Sequence, residues 1–446
     1  MGRRSHTQRL VIWLNGIAVG QWTAAPGRPS FNYFDAWLED EQGRPLSLSL
    51  PFTPNNEPYR GELVSNYFDN MLPDSDPIRR RLAQRFQTGG IEPFQLLAAI
   101  GRDCVGAVQL LPAGEEPVGL FSIAGQPLDE SGIARLLRRS TSAAPLSRDD
   151  EENDLRLSIA GAQEKTALLR HQGQWLLPAA STPTSHILKL PLGLVGHMQA
   201  DMRTSVENEW LCSKIVEAFG LPVAFCDIAC YEDQKALIVE RFDRRLSADA
   251  SWIVRLPQED FFQATGSSAL HKYQADGGPG IADIMDVLLG SEQANIDRRN
   301  FFKAQLLFWL LAATDGHAKN FSIAHHPGGR FRATPLYDIL SAHPILGAGN
   351  NQLAPQKARL AMAVRGSANY YHLEQIQRRH WDKMARQVGL GAHAAEEIIE
   401  ELIAASGGVA EAVSRQLPAD FPGDVAESIL TGMLRQCEKL QAMQAL

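Results

Sequence analysis

The chain has few cysteines, and none of them lies in a CxxC pair. Five cysteines, an odd number, occur among 446 residues. A disulfide framework is therefore not predicted, and the pattern favours a reducing, cytoplasmic environment. Cys226 and Cys230 lie close together, but no matching Cys or His pair lies near them, so we interpret them as buried side chains rather than metal ligands.

Long apolar runs and an excess of positive charge are also missing. No segment approaches the roughly 18–20 apolar residues that cross a membrane, so no membrane partner is predicted. The formal net charge is −8 at pH 7, which argues against a strongly basic nucleic-acid binder. Hydrophobic residues make up 44% of the chain, as is ordinary for a globular protein, and the length predicts two or three domains.

The first part of the chain predicts an N-terminal α/β subdomain. Apolar runs on both sides of Asn15-Gly16 predict a β-hairpin. The alternation of apolar and polar residues in Leu46–Leu50 predicts a strand. A polar stretch over 138–154 predicts a linker, so we place this subdomain at 1–145.

The remainder predicts a small strand-rich lobe at 146–255 and an all-helical lobe at 256–446. In the small lobe we expect a helix over 206–219, capped by Ser205 and ended by Gly220, with strands at 166–170, 175–178, 186–190 and 236–242. In the second lobe, 301–314 is apolar on nearly all faces, which predicts a buried helix. The expected fold class is α+β, with two lobes as in protein kinases, although such a layout alone identifies no function.

A polar loop, ATDGHAKN, directly follows the predicted buried helix. In protein kinases an Asp of this loop receives the substrate's proton, and an Asn five positions later holds a metal ion; Asp315 and Asn320 have this spacing. Lys319 would meet the charge that develops on the transferred phosphoryl group. His317 is either a general base or an orienting residue. The loop could also be a plain polar turn, since the HRD triplet of eukaryotic kinases is missing.

Asp338 and Lys189 supply the other groups that phosphotransfer needs. The pattern over 330–340 predicts a strand that leads to Asp338, where kinases place a Mg²⁺ ligand; the alternative is an N-cap of a following helix. Lys189 lies in a strand pattern like that of the kinase lysine that binds the α- and β-phosphates, although a solvated lysine fits the same pattern. Glu207 and Glu209 are both candidates to orient this lysine.

A phosphate-binding loop is predicted upstream, in the segment LSIAGAQEKTALL at 157–169. Its small-residue turn, Ala160-Gly161-Ala162, precedes a predicted strand. The segment has a single glycine and therefore lacks the GxGxxG pattern of nucleotide-binding loops.

Several long motifs together resemble the HipA family of kinase toxins. They include LSIAGAQEKTALL, RLPQEDFFQATG, KYQADGGPGI and LLFWLLAATDGHAKNFSI, and the resemblance covers nearly the whole chain. It implies a serine/threonine kinase of a toxin–antitoxin system that uses ATP and Mg²⁺. The expected catalytic base is Asp315, and the expected Mg²⁺ ligands are Asn320 and Asp338. At the nucleotide we expect Lys189 to bind the phosphates, together with Lys319 and His317 from the loop pattern, Glu240 and Phe242 to contact the adenine, and Asp243 to contact the ribose; the expected phosphate loop is Ile159, Ala160, Gly161, Ala162, Gln163, Glu164 and Lys165. Ser158 is the expected autophosphorylated serine.

The resemblance also implies partners. They are a HipB-like helix-turn-helix antitoxin dimer, operator DNA reached through that complex, and a protein substrate in translation, notably glutamyl-tRNA synthetase. The chain itself shows no convincing helix-turn-helix pattern, which agrees with DNA recognition by a partner. The expected location is the cytoplasm, at the nucleoid when the antitoxin is bound. Two alternatives stay open: a DNA-bound co-repressor with secondary or no kinase activity, and a small-molecule phosphotransferase of similar architecture.

Overall fold

The computed structural model describes residues 8–24, 29–141, 158–161, 163–391 and 393–443. Most of the polar stretch predicted as a linker lies outside these residues, as does Ala162 of the predicted phosphate loop.

The N-terminal subdomain is built on a five-stranded antiparallel sheet in the order β4-β3-β2-β1-β5. The predicted hairpin is confirmed: Leu14 pairs with Ile17, and both Asn15 and Gly16 have positive φ, as a two-residue hairpin turn requires. Its elements are β1 (Gln8–Leu14), β2 (Ile17–Ala24), β3 (Ser30–Tyr33), α1 (Asp35–Leu38), β4 (Tyr59–Arg60), α2 (Glu62–Asp69), α3 (Asp76–Arg85), α4 (Pro93–Ile100) and β5 (Val108–Pro112).

The strand predicted at Leu46–Leu50 is wrong, because this segment forms turns instead. Two of its backbone N–H groups donate hydrogen bonds to side-chain oxygens. The Leu46 N–H donates to the hydroxyl of Tyr33 at 2.8 Å, and the Leu48 N–H donates to Glu259 Oε1 at 2.8 Å. The alternation of apolar and polar residues does not give alternating burial here, because Leu46, Ser47 and Leu50 are buried while Leu48 and Ser49 are partly exposed.

The small lobe contains a six-stranded antiparallel sheet in the order β12-β13-β9-β7-β8-β6. All four predicted strands and the predicted helix are present. The helix begins at Ser205 but is not capped by it, because the Ser205 hydroxyl accepts the Leu192 N–H at 2.9 Å; Gly220 follows its end with φ +83°. The elements are β6 (Gly125–Leu128), α5 (Glu130–Ser140), β7 (Lys165–His171), β8 (Gln174–Pro178), β9 (His186–Lys189), β10 (Gly193–Val195), β11 (Ala200–Met202), α6 (Ser205–Ala218), β12 (Cys226–Tyr231), β13 (Gln234–Glu240), β14 (Arg244–Leu246) and β15 (Ile253–Arg255).

The boundary between the subdomain and the small lobe lies earlier than residue 145. Strand β6 pairs with β8, and α5 packs its buried Ile133, Ala134 and Leu137 on the same sheet. Both elements therefore belong to the small lobe, because their apolar surface is covered there.

The second lobe is mainly helical but not all-helical, since it also contains two small antiparallel sheets. The predicted buried helix is confirmed in α9, whose Phe302, Leu306 and Trp309 are fully buried. No helix in the described part of the chain is long and apolar enough to span a bilayer. The elements are β16 (Gln258–Asp260), α7 (Phe261–Thr265), α8 (Ile281–Val287), α9 (Ala294–Leu310), β17 (Ser322–His326), β18 (Arg330–Ala333), β19 (Arg359–Arg365), β20 (Asn369–His372), α10 (Arg378–Gln387), α11 (Ala394–Ser414) and α12 (Gly423–Ala442).

A buried ion network joins the N-terminal subdomain to the segment after β13. The Asp103 carboxylate, just beyond α4, lies 2.9 Å from Arg244, 3.4 Å from Arg255 and 3.5 Å from Arg241. It also accepts the N–H and hydroxyl of Thr184 at 3.0 and 2.7 Å. Burial alone would raise the pKa of Asp103, but the three guanidinium groups hold it far below its ordinary value.

We expect Asp103→Asn to lower the free energy of unfolding by about 3–5 kcal/mol, since it leaves the buried Arg255 without its counter-charge and leaves Arg241 and Arg244 to share Asp243. Urea denaturation at pH 7 would measure the loss. Glu115→Gln is the control, because Glu115 pairs with Arg102 at an exposed position and should change stability by less than about 1 kcal/mol.

Asp103 has a depressed pKa in the folded state. Its contribution is therefore present above the unfolded pKa of about 3.9 and lost as the pH falls toward the folded value, so the two proteins should converge in stability in acid.

Candidate active site

A deep cleft lies where the N-terminal subdomain and both lobes meet. Asp74 enters it from the subdomain, Lys189 from the sheet of the small lobe, and Asp315 from the turn after α9. The predicted residues that line it are Ile159, Ala160, Gly161, Gln163, Lys165, Lys189, Glu240, Phe242, Asp243, Asp315, Lys319, Asn320 and Asp338. Ser158, Glu164 and His317 lie outside its lining.

Lys189 is buried between the carboxyl groups of Glu209 and Asp338. Its ammonium donates to Glu209 Oε1 at 2.5 Å and to Asp338 Oδ1 at 2.8 Å. Burial alone would lower the pKa of Lys189, but the two carboxylates raise it above its ordinary value. Burial alone would raise the pKa of Asp338, but Lys189 and Lys165 lower it. At neutral pH, Lys189 and Asp338 are therefore both charged. Because Lys189 is buried, the alternative of a solvated lysine is wrong.

The structure separates the two carboxylates that the sequence left as alternatives. Glu209 is on the face of α6 that points to the cleft and pairs with Lys189. Glu207 lies two residues earlier, on a different face, and pairs with Lys235. Because both glutamates are almost fully buried, burial alone does not distinguish them; the helix face does.

Asp338 is held in an unusual backbone conformation. Its φ is +60°, in the left-handed region that residues other than glycine rarely adopt and that costs on the order of 1–3 kcal/mol. The preceding strand β18 ends at Ala333, earlier than expected, and Leu336 then forms an isolated bridge with Val223. No helix begins at Asp338, so the N-cap alternative is wrong. The strained conformation aims the carboxylate at Lys189.

The turn after α9 is locked by its own hydrogen bonds. Asn320 Nδ2 donates to the backbone oxygen of Asp315 at 2.8 Å, and the His317 N–H donates to the same oxygen at 2.8 Å. The bond through Nδ2 leaves the Asn320 side-chain oxygen available as a ligand. The Asp315 carboxylate is half exposed and accepts the hydroxyl of Tyr273 at 2.9 Å. These hydrogen bonds hold Asp315 and Asn320, five residues apart, in fixed relative positions on one turn.

His317 lies behind the loop rather than in the cleft. Its side chain is 2% exposed, and its Nε2 atom is 3.8 Å from Asp315 Oδ1. Both ring nitrogens are buried and have no hydrogen-bond partner among the described residues. Burial lowers the pKa of His317 to about 4, so the ring is neutral at pH 7. This environment favours a packed, orienting residue, and its role in nucleotide binding stays a prediction.

The N-terminal subdomain holds the predicted phosphate loop. Ser158 is fully buried, and its hydroxyl donates to the Met71 carbonyl at 2.8 Å. The Asp74 N–H donates to the Gly161 carbonyl at 3.1 Å. Lys165 donates to the Ala160 carbonyl at 2.8 Å, and Gly161 has φ +111°, where a Cβ atom would also lie 2.5 Å from that ammonium. The described residues of the loop are therefore held at the cleft by contacts with the subdomain and with Lys165.

Two further residues of the predicted loop have structural partners. Gln163 donates to the Leu190 carbonyl at 2.6 Å, which ties the loop to the end of β9. Glu164 pairs with Arg81 of α3, so its carboxylate contacts the subdomain rather than the cleft.

The segment after β13 forms the inner end of the cleft. Ile187, Leu192, Val239 and Phe242 provide apolar surface next to Glu240, as a flat aromatic base would need. The Asp243 carboxylate has other partners: it lies 2.8 Å from Arg241 and 2.9 Å from Arg244, and accepts the Gly106 N–H at 2.7 Å. These contacts favour a structural role, and ribose binding by Asp243 stays a prediction.

Three residues of the site were missed by sequence reasoning. Asp74 pairs with Lys319 at 2.5 Å and with Lys272 at 3.4 Å, and Tyr273 donates to Asp315. Asp74 lies between α2 and α3, and Lys272 and Tyr273 lie in the KYQADGGPGI motif, yet no spacing rule links either segment to the loop after α9. Only the tertiary fold brings them together.

Family models and several known proteins match this chain. A family model described as the HipA-like C-terminal domain matches residues 157–409, and one described as the HipA N-terminal domain matches residues 10–111. The chain is 34% identical over 415 residues to Y4mE of Sinorhizobium fredii, whose name carries a provisional kinase assignment; the match covers 92% of this chain and 91% of that protein. It is 27% identical over 349 residues to the serine/threonine-protein kinase toxin HipA of Shewanella oneidensis, covering 75% of each.

A solved structure shares the fold. The complex of HipA, HipB and operator DNA from Shewanella oneidensis superposes with a TM-score of 0.77 at 21% sequence identity, covering 97% of this chain and 98% of that chain. The α+β fold class with two lobes is thereby confirmed.

We expect Glu209→Gln to weaken ATP binding about 10-fold or more, because a hydrogen bond to a charged group contributes about 1.5–3 kcal/mol and holds Lys189 in the cleft. Isothermal titration with ATP and Mg²⁺ would measure the change. Glu207→Gln on the same helix is the matched control and should stay within about 2-fold of wild type. Equal losses in both variants would contradict the assignment of Glu209.

Proposed function

Because this chain belongs to the HipA family of kinase toxins, we propose that it is a serine/threonine protein kinase that transfers the γ-phosphoryl group of ATP to a protein hydroxyl. The main support is the convergence of the Lys189–Glu209–Asp338 triad and the Asp315–Asn320 turn on one cleft. A phosphate-binding lysine, a pair of oxygen ligands and a proton acceptor are the groups that this chemistry needs.

The proposed reaction assigns one task to each side chain. Asp315 accepts the proton of the substrate hydroxyl as its oxygen forms a bond to the γ-phosphorus, while the bond from that phosphorus to the ADP oxygen breaks. Lys189 holds the α- and β-phosphates through its remaining donor capacity. Lys319 meets the charge on the transferred group.

The proposed metal site fits the residues present. Asp338 and the side-chain oxygen of Asn320 are hard oxygen donors that line the same cleft, as Mg²⁺ prefers. No cluster of three or more His, Cys, Asp or Glu ligands occurs among the described residues. That agrees with an ion that takes its other ligands from phosphates and water. When bound, Mg²⁺ neutralises charge on the phosphates.

We also propose that Ser158 is a site of self-phosphorylation. Its hydroxyl is fully buried against the Met71 carbonyl, in the loop held at the cleft. A phosphate there would add about −1.5 to −2 charges to a space that holds a neutral hydroxyl. The loop would have to leave the cleft to accommodate it, and the enzyme would lose the nucleotide site.

The proposed partners follow from the family. The relative from Shewanella oneidensis is seen with HipB and operator DNA, and we propose a HipB-like helix-turn-helix dimer, and operator DNA through it, for this chain. A translation protein such as glutamyl-tRNA synthetase is the proposed substrate. The proposed location is the cytoplasm, at the nucleoid in the antitoxin complex.

Incubation of the purified, unphosphorylated chain with labelled ATP and Mg²⁺ tests the activity. We expect label on Ser158, a rate at least about 100-fold lower in Asp315→Asn because the proton acceptor is lost, and no self-labelling in Ser158→Ala. Phosphosite mapping by mass spectrometry is the measurement. Absence of label in folded wild type would favour the co-repressor function, and transfer to a panel of sugars or antibiotics would favour a small-molecule phosphotransferase.

We expect ATP affinity to fall as the pH rises above about 8. Burial lowers the pKa of Lys165 to about 8, so its ammonium is present below this pH and lost above it. The phosphates favour the charged form, so binding at higher pH requires proton uptake. Titration calorimetry from pH 7 to 9.5, in buffers of different ionisation enthalpy, would detect this uptake. Lys165→Arg keeps its charge throughout this range and should lose the pH dependence; an unchanged dependence in that variant would exclude Lys165 as its source.

A further inference from the structure

We propose that Asp74, on the N-terminal subdomain, is a positioning residue of the phosphotransfer site. The inference rests on the proposed kinase function and adds to it a part of the active site that lies outside both lobes.

Asp74 is the counter-charge of Lys319. Its Oδ1 atom lies 2.5 Å from the ammonium of Lys319, whose side chain is 4% exposed. Its Oδ2 atom is buried, accepts no hydrogen bond among the described residues, and lies 3.4 Å from the ammonium of Lys272. Burial alone would raise the pKa of Asp74, but Lys319 and Lys272 lower it, so the carboxylate is ionised at pH 7. No other carboxylate in the described part of the chain forms an ion pair with Lys319.

The ion pair with Asp74 orients the Lys319 side chain without occupying all of its hydrogen-bond donors. An ammonium has three N–H donors, and Asp74 takes one of them. The other two stay available for oxygens of the transferred phosphoryl group. Without Asp74, a buried ammonium would lack a partner and would turn toward other acceptors or toward solvent.

The same residue also touches the phosphate loop. The Asp74 N–H donates to the Gly161 carbonyl, and Pro73 forms a β-bridge with Gly161. Lys272 precedes Tyr273, whose hydroxyl donates to Asp315. Asp74 therefore links three parts of the site: the phosphate loop, the lysine of the catalytic turn, and the segment that contacts the proton acceptor.

Removal of the charge should affect the rate more than nucleotide binding. In Asp74→Asn the cleft gains one unit of positive charge, so the ground-state attraction for ATP is kept or increased. Lys319 loses its fixed direction, and misplacement of a reacting group by about 1 Å can cost about 100-fold in rate. We expect kcat to fall by about 10- to 100-fold while KM for ATP stays the same or decreases.

Steady-state kinetics of phosphoryl transfer from ATP to the proposed acceptor, glutamyl-tRNA synthetase, test this expectation on the full chain. Titration calorimetry with ATP gives the affinity and the number of binding sites. Asp76→Asn is the matched control, because this exposed carboxylate two residues away pairs only loosely with Arg80, at 3.8 Å. Asp74→Glu is a second variant: it keeps the charge but displaces it, so a positioning role predicts an intermediate kcat.

The outcomes separate the two proposals. A lower kcat in Asp74→Asn, with full binding stoichiometry and wild-type kinetics in Asp76→Asn, supports the inference. Kinetics of Asp74→Asn and Asp74→Glu within about 2-fold of wild type would overturn it and leave the kinase function intact. A loss of kcat in proportion to a loss of binding sites would also overturn it, since that result indicates a structural role. A wild-type chain that transfers no phosphate would overturn both.

Discussion

A single buried carboxylate joins the N-terminal subdomain to the small lobe. Asp103 belongs to the N-terminal subdomain, yet its charge partners Arg241, Arg244 and Arg255 all follow β13. Such a network contributes little net stability, because desolvation offsets most of the attraction, but without Asp103 the buried Arg255 would lose its counter-charge and Arg241 and Arg244 would share Asp243. The Asp103 carbonyl also accepts the N–H of Ser158 at 3.1 Å. One residue therefore fixes both the inner end of the cleft and the start of the phosphate loop.

The lysines of the cleft differ in how their charge is balanced, and this difference corresponds to their proposed tasks. Lys189 has two carboxylate partners and is charged at any pH the protein would meet. Lys319 has one, Asp74. Lys165 donates to a neutral carbonyl, and burial lowers its pKa to about 8. ATP would thus find one rigid, permanently charged lysine and one whose charge depends on the ligand. A cleft lined only by paired lysines would lack that dependence.

The parts of the fold that the sequence predicted are those governed by short-range rules. The Asn15-Gly16 turn, the buried helix α9 and the spacing of Asp315 and Asn320 depend on neighbours in sequence, and the structure contains each of them. The predictions failed where the local structure depends on residues that are distant in sequence. Leu46–Leu50 is not a strand because Tyr33 and Glu259 satisfy its backbone. Asp74 entered no prediction because its partner Lys319 lies 245 positions away. Nothing local distinguishes Glu207 from Glu209 either; the choice depends on which strand each helix face meets.

The N-terminal subdomain is better understood as a third wall of the active site than as an appended domain. Three of its backbone groups hold the phosphate loop: the carbonyls of Met71 and Asp103 on Ser158, and the N–H of Asp74 on Gly161. Because backbone groups of a packed subdomain are fixed in position, the phosphate loop must break all three contacts together when it moves out of the cleft. In the proposed self-phosphorylation, a phosphate would replace the hydroxyl that donates to the Met71 carbonyl and would add bulk at a fully buried side chain. The proposed phosphate would therefore act on the same contacts that hold the loop in the cleft.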